Sequence, residues 1–134
     1  MIKKIIPPIL YNTKFRKQSE SGLSCVYNWG EDFIVFNRTQ ILKEENINND
    51  IREYFGKNFS NKDILLISLF HELAHRYRYI TKISQPTQEI NYEHYIYNRV
   101  YNNQHTPLYY LLIKEEREAM KLAYKWFKQY KKIK

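Results

Sequence analysis

The chain is predicted to fold as an α+β domain, a small antiparallel sheet or hairpin packed against two long helices. Three observations point there. Two runs rich in β-branched and aromatic residues, 23–29 and 33–38, flank Gly30-Glu31-Asp32, which signals a hairpin with a three- or four-residue loop. Two later stretches carry helical periodicity, and each opens on a capping signal. The 134 residues, 43% hydrophobic and 27% charged, suit one domain with a single core.

Along the chain, residues 9–18 are expected to hold an early strand or short helix. The run 39–57 reads as helical but interrupted. Asn46, Asn48 and Asn49 break its pattern, so a short helix, a loop and a second short helix ending near Gly56 are expected. Ser60-Asn61-Lys62-Asp63 resembles a capping box with Asp in place of Glu. The first long helix then runs from about Lys62 to Lys82. Pro86 and its polar neighbours mark a loop, and 89–102 reads as another helix. Thr106-Pro107 supplies a cap and a first-turn proline for the last helix. That helix is expected to reach about Tyr130, with Lys131–Lys134 frayed.

Composition narrows the function classes. The net charge of +8 and a pI near 9.5 admit an acidic partner such as nucleic acid. Abundant Lys, alongside Asn, Ile and Tyr, accounts for that charge without selection for binding, so nucleic acid is the lesser expectation. Cys25 is the single cysteine, which excludes an intrachain disulfide and suggests a small hydrophobe packed near Val26. Pro7 and Pro8 interrupt the apolar start, which does not read as a signal peptide. No stretch has the length of a membrane span, and a soluble cytoplasmic protein is expected.

The chemistry concentrates in His71-Glu72-Leu73-Ala74-His75. Residues four apart share a helix face, so His71 and His75 can present two imidazole nitrogens to one ion. Glu72 lies one step round the helix, within reach of a water on that ion. Zinc accepts nitrogen and carboxylate ligands in a tetrahedral site, and catalytic sites keep the fourth position for water. A helical wheel puts Leu66, Leu69, Phe70, Leu73, Tyr77 and Ile80 on one apolar stripe, with His71 and His75 opposite it.

The last helix offers a third ligand. Tyr109, Leu112, Ile113, Ala119, Met120, Ala123 and Phe127 share one face, and Glu116 falls in its middle. A lone carboxylate there would be desolvated or forced to take a proton, and a cation removes that conflict. Glu116 is therefore the expected third ligand, against an alternative ion pair with Arg78 or Arg99. Glu115 sits at the edge of the stripe. Glu118 lies on the polar side with Lys121 and Lys125.

With these residues in view, the chain resembles the gluzincin-type zincin metallopeptidases, in which a second helix supplies Glu from a Glu-x-x-Ala-like pattern. It looks closest to small ImmA/IrrE-like domains, where a strand ending in Asn precedes the active-site helix. Phe33-Ile-Val-Phe-Asn37 matches that strand, and Glu116-Arg-Glu-Ala-Met-Lys-Leu-Ala123 matches the second-helix pattern. The likeness covers residues 33–38, 62–80 and 112–127. It departs at Met120, at Leu122, at Ala74, where Gly is usual, and at Arg76-Tyr-Arg-Tyr79, where an apolar segment is usual.

The resemblance implies a Zn2+-dependent peptidase acting on a peptide or protein, with Glu72 as general base and His71, His75 and Glu116 as ligands. It also implies an extended substrate pairing along strand 33–38. His94, Tyr92, Tyr95, His105 and Arg99 are the candidates for a second electrophile or substrate contact. Two alternatives stand beside this expectation. One is a zincin-like regulatory or binding module without hydrolysis. The other is a SprT-like peptidase associated with nucleic acid.

Overall fold

The computed structural model describes residues 2–16, 24–83, 111 and 113–133. Among these the fold is mixed α+β. Two 3-10 turns, Ile2–Lys4 and Pro8–Leu10, lead into strand β1 (Phe15–Arg16). Strands β2 (Cys25–Asn28) and β3 (Phe33–Phe36) follow, then helices α1 (Arg38–Lys43), α2 (Glu45–Phe55), α3 (Asn61–Ile80) and α4 (Lys114–Ile133).

The expected hairpin is β2–β3, antiparallel, with Tyr27 opposite Ile34. Its loop turns through Asp32, whose φ is +56°, a conformation that short polar side chains tolerate better than most. The sheet is not purely antiparallel. β1 pairs with β3 in parallel, giving the order β1-β3-β2. Strand β3 is therefore central, bonded on both sides, and the substrate-pairing edge expected along 33–38 is not there. β1 and β2 are the outer strands.

The break in the 39–57 helix comes at Glu44 rather than at the asparagines. Asn48 lies inside α2, buried, with its amide donating to the Ile41 carbonyl at 2.9 Å. An interior polar side chain needs such a partner, and here it ties α2 back to α1. Asn37 caps α1 by accepting from the Gln40 N–H. Gly56 closes α2 in the left-handed conformation at φ +63°, as the sequence predicts.

Helix α3 starts with the expected capping box. The Asp63 N–H donates to Ser60 Oγ at 3.1 Å, and the Ser60 N–H donates to Asp63 Oδ2 at 3.3 Å. The wheel anticipated one packed face on α3, and the structure corrects it. β2, β3, α1, the second 3-10 turn and α4 all contact α3. Ile64, Ile67, Phe70, Leu73 and Ala74 are buried, and so are His71, Glu72 and Arg76. Leu66, Leu69, Tyr77 and Ile80 are only partly buried. A helix flanked by other elements on several sides has no single packed stripe, so an amphipathic wheel misplaces its lining. Full burial of Phe70 alone is worth about 1.5–3 kcal/mol.

Helix α4 packs along α3 through Ala119, Met120, Ala123, Trp126 and Phe127. Its small residues let the two backbones approach. The ring of Trp126 meets Phe70 and Tyr77 edge-on. Residue 113 lies in a bend, so the helix begins at Lys114. Thr106-Pro107 and the helix expected over 89–102 lie outside the described residues. At the other end the helix does not fray where expected. It continues to Ile133, and Lys131 Nζ reaches Asp63 Oδ1 at 3.2 Å, joining the end of α4 to the start of α3.

Candidate metal centre

The middle turns of α3 meet the first turns of α4 at a cluster of histidines and carboxylates. His71 Nε2 and His75 Nε2 lie 3.2 Å apart, on the one helix face that one-turn spacing gives them. Glu116 Oε2, from α4, lies 2.9 Å from each of them. Three potential ligand atoms thus form a nearly equilateral triangle. Zinc bonds of about 2.0–2.1 Å in a tetrahedral site put neighbouring ligand atoms about 3.3 Å apart. Opening the triangle by a few tenths of an ångström would admit such an ion, so the donor set fits a divalent cation of zinc's size. His71, Glu72 and His75 also qualify together as a group able to hold a metal, their ligand atoms lying within 4.8 Å of one another.

The histidines and carboxylates of the cluster shift one another's charge states. Burial disfavours charge on Glu116, yet the adjoining His75 and His71 outweigh it and hold the carboxyl well below the usual range. Burial likewise disfavours charge on His75. The Glu116 and Glu115 carboxylates overcome that and raise its imidazolium well above the ordinary value. Positive charge at this point is therefore stabilised by the protein around it.

Glu72 makes different contacts. Its Oε1 accepts the backbone N–H of Tyr27 at 2.8 Å, and its Oε2 stands 4.0 Å from His71 Nε2. Burial raises its carboxyl pKa, partly countered by His71 and His75. The N–H it accepts lies on the outer side of β2. Asn37 donates to the Ser24 carbonyl at 2.7 Å, so Ser24 faces β3 and, by antiparallel alternation, Cys25 and Tyr27 direct their backbone groups outward. Glu72 binds the outer edge of the sheet. A cavity of about 270 Å³ opens beside this edge. Cys25, Ile51, Ile67 and Met120 line it together with His71, Glu72 and Glu116. Cys25 is half-buried, with Sγ 3.6 Å from the Ser68 carbonyl, and burial pushes its thiol far up. It packs as a small apolar side chain, as expected from its isolation in the sequence.

Two features of the site were not anticipated. Glu115 places Oε2 3.0 Å from His75 Nδ1, and its other oxygen accepts Arg78 Nε at 3.0 Å. Arg78, an expected rival partner for Glu116, therefore bonds the neighbouring carboxylate. The second feature is Arg76. Its buried guanidinium makes two bonds to Asp32, at 2.8 and 3.1 Å, and a third to Thr13 Oγ1 at 3.0 Å. Asp32 also accepts from the Tyr27 hydroxyl at 2.8 Å. This network pins the β2–β3 turn to α3 and holds Tyr27 where its N–H meets Glu72. The sequence signal was a charged Arg76 beside the histidine motif, in a segment the resemblance expects to be apolar.

Glu118 lies away from the cluster and pairs with Lys121 at 3.7 Å. His94, Tyr92, Tyr95, His105 and Arg99 lie outside the described residues. No helix among the described residues is long and apolar enough to cross a membrane. Comparison with known proteins finds no matching family model, no matching curated protein and no matching solved structure.

Proposed function

We propose that the chain is a zinc-dependent metallopeptidase of the zincin kind, with His71, His75 and Glu116 holding the ion and Glu72 as general base. The observation that carries this reading is the convergence of the two Nε2 atoms and Glu116 Oε2 at 2.9–3.2 Å, with a buried carboxylate beside them. When bound, the ion would supply Lewis acidity, acidifying a water and polarising a carbonyl.

The protein's own groups do the rest. Glu72 keeps Oε1 on Tyr27 N–H and leaves Oε2 for proton transfer. It takes a proton from the attacking water and returns it to the leaving amine. A carboxyl raised by burial is better matched to that task near neutral pH than an exposed one. The outer edge of β2 at Cys25 lies beside the cavity, and an extended peptide would pair there rather than on β3. The cavity's aliphatic lining suits a peptide better than a nucleic-acid backbone.

The test is metal content of the purified full chain against Glu116→Ala. One zinc per wild-type chain and a large loss in the variant are expected. A wild-type chain that takes up no zinc refutes the reading. Full retention by the variant moves the third ligand elsewhere.

A further inference from the structure

We infer that Glu115, clamped by Arg78, is the positioning residue for His75 and fixes the tautomer that turns its Nε2 to the ion. This rests on the zinc reading above. The three side chains form one chain of contacts in which each is only 13–15% exposed: Arg78 Nε to Glu115 Oε1 at 3.0 Å, and Glu115 Oε2 to His75 Nδ1 at 3.0 Å. An ionised carboxylate only accepts hydrogen bonds, so the proton between Glu115 and His75 sits on Nδ1. A neutral imidazole has one donor and one acceptor. With Nδ1 as donor, the Nε2 lone pair is left facing His71 Nε2 and Glu116 Oε2.

Arg78 has a separate task. It lies three residues after His75, on the same side of α3, and it occupies Glu115 Oε1. That restrains the carboxylate from swinging round to compete with Glu116 for the ion. Two adjacent glutamates on one helix turn are thereby given different jobs. Glu116 faces the ion and Glu115 faces the back of its histidine ligand. Carboxylate partners of this kind orient metal-bound histidines and raise their basicity.

The experiment uses the full chain and zinc itself as the probe, with affinity read by competition against a chromophoric chelator. Glu115→Ala should weaken zinc binding by about 10–100-fold. Glu115→Gln keeps an acceptor for the Nδ1 proton and should lose less. In the cobalt-loaded chain, Glu115→Ala should also shift the visible ligand-field absorption, which a contact serving only to hold the helices together would leave in place. Wild-type affinity and an unchanged cobalt spectrum in Glu115→Ala overturn the inference while the zinc reading stands. A wild-type chain that binds no zinc overturns both. Should Glu115→Ala fail to fold, the near-isosteric Glu115→Met, which offers the Nδ1 proton no oxygen, decides, and wild-type affinity with an unchanged spectrum there overturns the inference.

Discussion

Glu72→Gln is the variant expected to separate catalysis from folding at this site, because the proposed mechanism gives the side chain two tasks on two different oxygens. Oε1 accepts the Tyr27 N–H at 2.8 Å, and a glutamine carbonyl oxygen can take over that bond. The exchange turns a charge-assisted bond into a neutral one, at a cost of about 1 kcal/mol. It also removes a carboxylate whose charge is opposed by burial. The two effects oppose, so stability should stay within about 1 kcal/mol of wild type, or about 4 °C in Tm for a chain of this size. Zinc content should be unchanged, since Glu72 is not among the three ligands.

Proton transfer, in contrast, is lost. General-base catalysis contributes about 10²–10⁴-fold, so hydrolysis of a peptide substrate should fall by that factor, about 2.7–5.5 kcal/mol in barrier. The assay is cleavage of a fluorogenic peptide library by zinc-loaded wild type and variant, alongside thermal unfolding and metal analysis. Cleavage by the variant within a few-fold of wild type would refute Glu72 as the base. Glu72→Ala is the informative contrast. It strands the buried Tyr27 N–H at a cost of about 1–3 kcal/mol, and so confounds the two roles that glutamine keeps apart.

Other perturbations test the frame around the site. Asp32→Ala leaves the guanidinium of Arg76 without its two strongest bonds. Because the Asp32 side chain is half exposed, the loss is discounted to about 1–2 kcal/mol, measurable by urea unfolding. The same pair sets an acid limit. Arg76 holds the Asp32 carboxyl below its ordinary value, so its stabilisation is full above about pH 3.9 and is lost as pH falls further. Wild type should lose more stability than Asp32→Ala over that range. Ser60→Ala removes half of the capping box of α3 and should cost about 1 kcal/mol, with zinc affinity unchanged because the site lies near the middle of the helix.

What was legible in the sequence is what adjacent residues decide. The β2–β3 turn, the Ser60–Asp63 box and the left-handed Gly56 all lie within a few residues of the elements they shape. Glu116 was legible because periodicity exposed a carboxylate on an apolar face. The wheel failed on α3 itself, since it assumes one packed side and α3 is contacted by other elements on several sides. It therefore put His71 and His75 opposite the packing stripe, whereas His71 is buried and His75 mostly so, against α4, with His71 also lining the cavity. Glu115 was set aside for a related reason: a wheel ranks residues by angle on their own helix and says nothing of what the facing helix presents there. The Arg76–Asp32 pair joins residues far apart in the chain, and the parallel pairing of β1 with β3 is equally non-local. Such contacts are fixed by the finished fold.

The charge on the cluster leads to a last prediction. In the metal-free chain, the carboxylates around His75 stabilise its protonated form and raise its pKa. The sign follows from linkage: this stabilisation is full below the unfolded value near 6.5 and is lost as pH rises through the higher folded value. Zinc needs the same nitrogen deprotonated, so its binding expels that proton and strengthens as pH rises. Metal-free and zinc-loaded chains should therefore diverge. Above about pH 6.5 the Tm of the metal-free chain should fall with pH, while the rise in Tm on adding zinc should grow. Zinc at about a hundred times its dissociation constant contributes about 2.7 kcal/mol, so the divergence lies well within reach of a thermal scan. A zinc-induced shift that stays constant across that range would mean that the ion, where it binds, does not compete with a proton on His75. The two-histidine, one-carboxylate ligand set would then be wrong.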